Sequence, residues 1–104
     1  MTPKAEDFGD RMSAFTERAK NWIGETVVVD FRSPMLAIGR LERADDDLLE
    51  MHDADLHDLR DTETTRELYV VKAARYGVQA NRQTLLVRLD DVLGLAKLDD
   101  VVKG

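Results

Sequence analysis

Apolar positions along the chain follow two rhythms, and each predicts a different kind of element. Phe8, Met12, Phe15, Ala19 and Trp22 recur at steps of four, three, four and three, one stripe of a 3.6-residue helix. Glu6, Asp10, Arg11, Glu17, Arg18 and Lys20 occupy the other face, and Gly24 suits a helix stop, so a helix is expected over residues 5–22. The rhythm then shortens to two. Val27, Val29 and Phe31 alternate with Val28, Asp30 and Arg32, as in a half-buried strand, and Ser33-Pro34 supplies a turn. In "MLAIGRLERA", Leu36 and Ile38 share a face and Leu41 takes the other, which predicts a bulge or sharp bend at Gly39. "DDD" makes a turn, and "LLEMHDA" a third strand with Leu49 and Met51 on one face.

Residues 55–83 are less strand-like. Thr64 and Glu67 match a capping box, and Gly77 sits where a helix would end, so a helix is expected over 64–76. Leu68, Val71, Arg75 and Val78 would share its face, with Leu68 and Val71 packed on the sheet, although Tyr and Val also make "ELYVVKA" a plausible strand. After a polar connector, Leu85, Val87 and Leu89 alternate with Leu86, Arg88 and Asp90, and "VLGLAKL" gives a last strand. No internal repeat is evident. The order helix, three strands, helix, two strands predicts one mainly β domain over 1–104, a small strongly bent five-stranded barrel. Closure would hide most strand edges.

Composition adds limits. With 43% hydrophobic and 35% charged residues over 104 positions, the chain has the balance of a globular domain. It has no cysteine, which excludes disulfides and thiolate metal sites. The polar start is unlike a signal peptide, and no apolar run reaches the roughly 18 residues of a membrane span, so a cytoplasmic protein without membrane contact is expected. The net charge of −6 is unevenly spread. Residues 42–67 hold eleven acids against three arginines, a net of −8, whereas residues 68–88 hold four basic residues and no acid. Segments of opposite sign suit contact between copies.

The motifs in this order resemble the Sm and Sm-like family. "IGETVVVDF", Gly39, Leu41, Asp45, "LLEM" and Asp53-Ala54 follow its first motif over residues 25–54, and "LVRLDDVLGL" its second over 84–98. The chain resembles a divergent bacterial-type member, with residues 55–83 an insertion between the two motifs relative to the shortest members. The resemblance implies an N-terminal helix, a bent five-stranded barrel, and a homo-oligomeric ring in which the fourth strand of one subunit pairs with the fifth of the next. A closed ring of about five to seven subunits would leave no exposed edge. The two most apolar strands supply candidate interface residues Leu86, Val92, Leu93 and Leu95. RNA-binding members use an asparagine in the first motif and an Arg-Gly pair in the second. Here Leu89 stands at the glycine, no asparagine occurs near residues 45–48, and only Arg88 matches.

The expected function is therefore a non-catalytic ring-forming scaffold or interaction platform without a cofactor. The alternative is an RNA binder using Arg88 and Asp90 with the acid-free segment, namely Lys72, Arg75, Tyr76 and Arg82. The acidic balance and the missing Asn and Gly disfavour RNA. Arg88 is expected to form a partly buried ion pair with the acids of residues 45–55. His52 and His57 are weak metal candidates, because a spacing of five places them together on neither helix nor strand. No nucleophile motif or phosphate loop is present, so no enzyme activity is expected.

Overall fold

The computed structural model describes residues 13–102. Helix α1 (Ala14–Lys20) is followed by β1 (Thr26–Phe31), β2 (Met35–Ala44) and β3 (Leu48–Asp58). Helix α2 (Arg66–Tyr76) precedes β4 (Arg82–Arg88) and β5 (Val92–Lys97). Single 3-10 turns lie at Leu59–Asp61, Leu89–Asp91 and Leu98–Asp100. All five strands form one antiparallel sheet in the order β4-β3-β2-β1-β5.

The bend comes from β2 and β3. Between the pairs Ile38–Asp55 and Arg40–His52, β2 has one residue, Gly39, and β3 has two, Asp53 and Ala54. The extra residue therefore belongs to β3, not to the glycine strand, and Asp53 adopts a left-handed φ of 49° to accommodate it. Gly39 is the close-approach partner: a Cβ there would lie 2.8 Å from both Cα and Cβ of Ala54. A second shift between Leu41 and Arg43 places the extra residue in β2.

Leu36 and Ile38 face away from Leu41 because both faces of the sheet are covered. The inner core gathers Val27, Val29, Phe31, Ala37, Leu41, Leu49, Met51, Val87 and Val92, with Ala19 of α1. The outer core joins Val28, Leu36 and Ile38 to Val70 and Ala73 of α2 and to Leu98. This is why Val27, Val28 and Val29 of β1 are all buried: the strand is covered on both sides.

Several expectations need correction. The first-helix stripe is described only from Phe15 onward; Phe8 and Met12 lie outside the described residues, and the helix there runs Ala14–Lys20 with Ser13 as its cap. α2 is capped by Thr65 rather than Thr64, with Thr65 Oγ1 accepting from the Leu68 amide at 3.2 Å. Its buried residues are Val70 and Ala73, while Leu68 is exposed. Six of the seven residues 68–74 are apolar, so more than one stripe fitted the sequence, and small Ala73 is among the residues that pack on the sheet. Residues 55–58, read from the sequence as the less strand-like start of the 55–83 segment, are the end of β3.

A short repeat is also present. "RLDDV" at 88–92 and "KLDDV" at 97–101 form equivalent 3-10 turns at either end of β5, with cap dihedrals of −71°, 126° and −76°, 138°. None of these residues has positive φ, which explains a corner made without glycine.

Gly39→Ala is expected to cost about 1–3 kcal/mol through overpacking against Ala54. Urea unfolding of G39A should show that loss, and adding Ala54→Gly should recover part of it. Unchanged stability in the single variant would mean that the strands do not approach as described.

Candidate functional site: two open sheet edges

Among the described residues, β4 pairs only with β3 and β5 only with β1, so the five-stranded sheet ends there in two unpaired edges. The strongly bent five-stranded sheet expected from the sequence is thus present, with the outer sides of β4 and β5 left without a strand partner among the described residues. Each end strand displays a leucine: Leu86 on β4 is 59% exposed and Leu93 on β5 is 66% exposed. Beside β4 lies an open depression of about 470 Å³, lined by Phe31, Met35, Leu56, Leu85 and Leu86 and rimmed by Arg88 and Asp90. It sits at the opening of the bent sheet.

The other two candidate interface residues face inward. Val92 is buried in the inner core, at the point where β5 begins pairing with Phe31. Leu95 is half-buried against the same core and lines a groove with Phe15 and Trp22. Both are strand residues on the covered face, which their apolar character alone did not reveal.

Two loops meet at the far end of β4. The Leu89 amide donates to the Asp47 carbonyl at 2.9 Å, and the Arg32 amide to the Asp91 carbonyl at 2.9 Å. Asp45 Oδ1 accepts from the amides of Asp47 and Leu48 at 2.8 and 2.9 Å, and these bonds hold its carboxyl below the usual range. Asp46 clamps α1: Oδ1 accepts from the Thr16 hydroxyl, and from the amide and hydroxyl of Ser13 at 3.1 and 3.0 Å. Its carboxyl is also lowered, chiefly by Thr16 and then by Ser13. Asp45 and Asp46, which the sequence offered only as acids of a turn, are internal hydrogen-bond acceptors.

Arg88 does not make the expected partly buried pair. Its side chain is 84% exposed, and its Nε lies 3.7 Å from Oδ1 of Asp90 on its own turn. Such an exposed contact contributes little. Arg82 and Arg88 occupy opposite ends of β4, about 20 Å apart at the usual strand rise. Lys72, Arg75 and Tyr76 lie on α2. The acid-free segment is therefore not one surface.

The histidines also separate. His52 Nε2 is 2.9 Å from Glu50 Oε2 and its Nδ1 is 3.8 Å from Glu42, beside Arg40, which pairs with Glu42 and Asp53. His57 stacks on Tyr69 with centroids 4.2 Å apart, and its Nε2 is buried without a hydrogen-bond partner among the described residues. Among the described residues, no group of three or more His, Asp or Glu side chains is placed to hold a metal.

Sequence reasoning missed Asp55. It is buried, accepting from the Tyr69 hydroxyl and from Asn81 Nδ2 at 3.2 Å. Its partners stand 14 and 26 positions away, so no local pattern announced it.

Solved structures share this architecture. A Pyrococcus abyssii Sm protein in complex with a uridine heptamer matches with a TM-score of 0.55 and 17% identity, covering 78% of this chain and 93% of that one. A heptameric archaeal Sm protein matches with a TM-score of 0.50 and 19% identity, covering 78% and 96%. The chain has the Sm fold. No protein-family model and no curated protein matches the sequence.

The Asp46 clamp predicts a specific acid sensitivity. Because its carboxyl is lowered in the folded state, its contribution is present above the ordinary carboxylate range near pH 4 and is lost as pH falls through the folded value. Asp46→Asn should lower stability at about pH 6 and lose less on acidification to about pH 2.5, read by urea unfolding. Identical pH slopes for both proteins would contradict the clamp.

Proposed function

We propose that this chain is a non-catalytic Sm-like module whose copies join head to tail, β4 of one to β5 of the next, into a closed homo-oligomeric ring that serves as an interaction platform. The observation that carries this reading is the pair of open edges at opposite ends of one sheet, each beside an exposed leucine. Two different surfaces that fit each other make a heterologous contact, and such contacts close into rings when the rotation permits. Ring closure would pair every edge. The heptameric state of the archaeal Sm neighbour supports a ring of similar size.

A second reading, RNA binding at the turn after β4, draws on the neighbour held with a uridine heptamer. Arg88 is exposed and weakly paired there, and the nearby Asp45 and Asp46 carboxylates already accept internal donors. The acidic composition is thus a weaker argument against RNA than the sequence suggested. The departure at Leu89, where the family has glycine, remains.

Light scattering should give a particle several times 11.8 kDa, and Leu93→Asp should reduce it to a monomer with unchanged circular dichroism. Leu93 is the suitable position, because a change at Leu95 would also disturb the inner core. A parent protein that is monomeric at micromolar concentration in ordinary salt would refute the ring.

Arg88→Ala should change unfolding stability by no more than about 0.5 kcal/mol, as for an exposed side chain. On the second reading it should abolish salt-sensitive binding of oligouridine, measured by fluorescence anisotropy. Binding that survives intact in R88A would remove Arg88 from that role.

A further inference from the structure

Away from both edges, where the end of β3 meets α2, a depression of about 170 Å³ opens beside Asp55, Tyr69, Lys72, Tyr76 and Gln79. Asp55 is 5% exposed and is the one buried charged side chain among the described residues. A buried carboxylate is costly unless donors surround it. Here each oxygen takes one: Oδ2 from Tyr69 and Oδ1 from Asn81. A carboxylate offers about four acceptor positions, so about two remain.

Its orientation is fixed from both sides. Asn81 is pinned to β3, accepting from the Leu56 amide at 3.0 Å and donating to the Leu56 carbonyl at 3.1 Å. The Tyr69 ring is stacked on His57. Burial, and then Asp55, push the Tyr69 hydroxyl up to about 12, so it remains a donor at neutral pH. The rim carries the cation of Lys72 and the ring of Tyr76, which is 77% exposed.

We propose that this depression binds the guanine base of a nucleotide, with Asp55 accepting from the base edge, Tyr76 stacking on the ring and Lys72 meeting the phosphate. The volume is below the roughly 300 Å³ of a drug-sized site, which leaves room for a base with its sugar and phosphate outside. An acceptor-only carboxylate selects adjacent N–H donors, and guanine presents two, at N1 and at the exocyclic N2. Adenine sets a ring acceptor beside its one amino group, and uracil flanks its single N–H with two carbonyls, so both meet the carboxylate with repulsion. A guanidinium side chain also carries paired donors, but the Lys72 cation at the rim opposes it. The site lies within one protomer and depends on neither the ring nor Arg88.

Calorimetry on the full chain with GMP, AMP, UMP and CMP tests this, alongside single-stranded RNA hexamers with and without guanine. GMP should bind saturably, with the other three at least about tenfold weaker, a ratio suited to a site that pairs polar edges. A guanine-containing hexamer that binds more tightly than GMP would identify RNA as the source of the base; equal or weaker binding would identify the free nucleotide. Tyr76→Ala should weaken GMP about tenfold, the scale of one lost stacking contact. Lys72→Ala should weaken GMP but not guanosine. Both side chains are exposed, so circular dichroism and particle mass should be unchanged. Asp55→Asn, which supplies a donor in place of one acceptor, should erase the preference for guanine. No saturable binding of any nucleotide at millimolar concentration, GMP binding indifferent to Y76A, or tighter binding of N-acetylarginine amide than of GMP would each overturn the proposal.

Discussion

The outer sides of β4 and β5 carry backbone N–H and C=O groups that no strand among the described residues completes. Backbone groups of this kind must find water or a partner, and an exposed edge is a template for another strand. In the order β4-β3-β2-β1-β5 the two edge strands lie at opposite ends of the sheet and do not pair with each other. The inner core ends at Val87 on β4 and Val92 on β5, while Leu86 and Leu93 next to them stay exposed. Apolar surface left beside an unpaired edge is what distinguishes a prepared contact from a merely frayed one.

The covering of the sheet's second face gives α2 a physical purpose. A minimal barrel would leave Val28, Leu36 and Ile38 in water. α2 and the turn at Leu98 bury them instead, and the Arg66–Asp30 pair, at 3.3 Å, ties the start of α2 to β1. α2 therefore lies over the middle strands and leaves the edges free. Its placement also creates the depression around Asp55, because the end of β3 continues beneath it to Asp58. One packing event thus stabilises the fold and builds a polar recess.

Much of this was legible in the sequence, and the failures have physical causes. Alternation located the strands, and the change of apolar face near Gly39 located the bend. The extra residue nevertheless lies opposite the glycine, at Asp53, because glycine answers a close approach that its partner strand makes. α2 was readable from its cap and its stop, yet its buried face was not, since nearly every residue from 68 to 74 is apolar. The acids of the 45–47 loop read only as part of a net negative segment; Asp45 accepts from its neighbours Asp47 and Leu48, whereas the role of Asp46 depends on contacts with Ser13 and Thr16 some 30 positions away. Exposure separated Leu86 and Leu93 from Val92 and Leu95, and strand parity alone could not.

Hydrogen exchange resolved along β4 and β5 in the assembled protein tests the central claim most directly. If the open edges meet between copies, the amides on the outer sides of both strands should exchange slowly in the particle. They should become fast in the Leu93→Asp monomer, while those facing β3 and β1 stay protected. Fast exchange of the outer amides on both strands within a stable particle would contradict edge pairing, whatever the particle's mass.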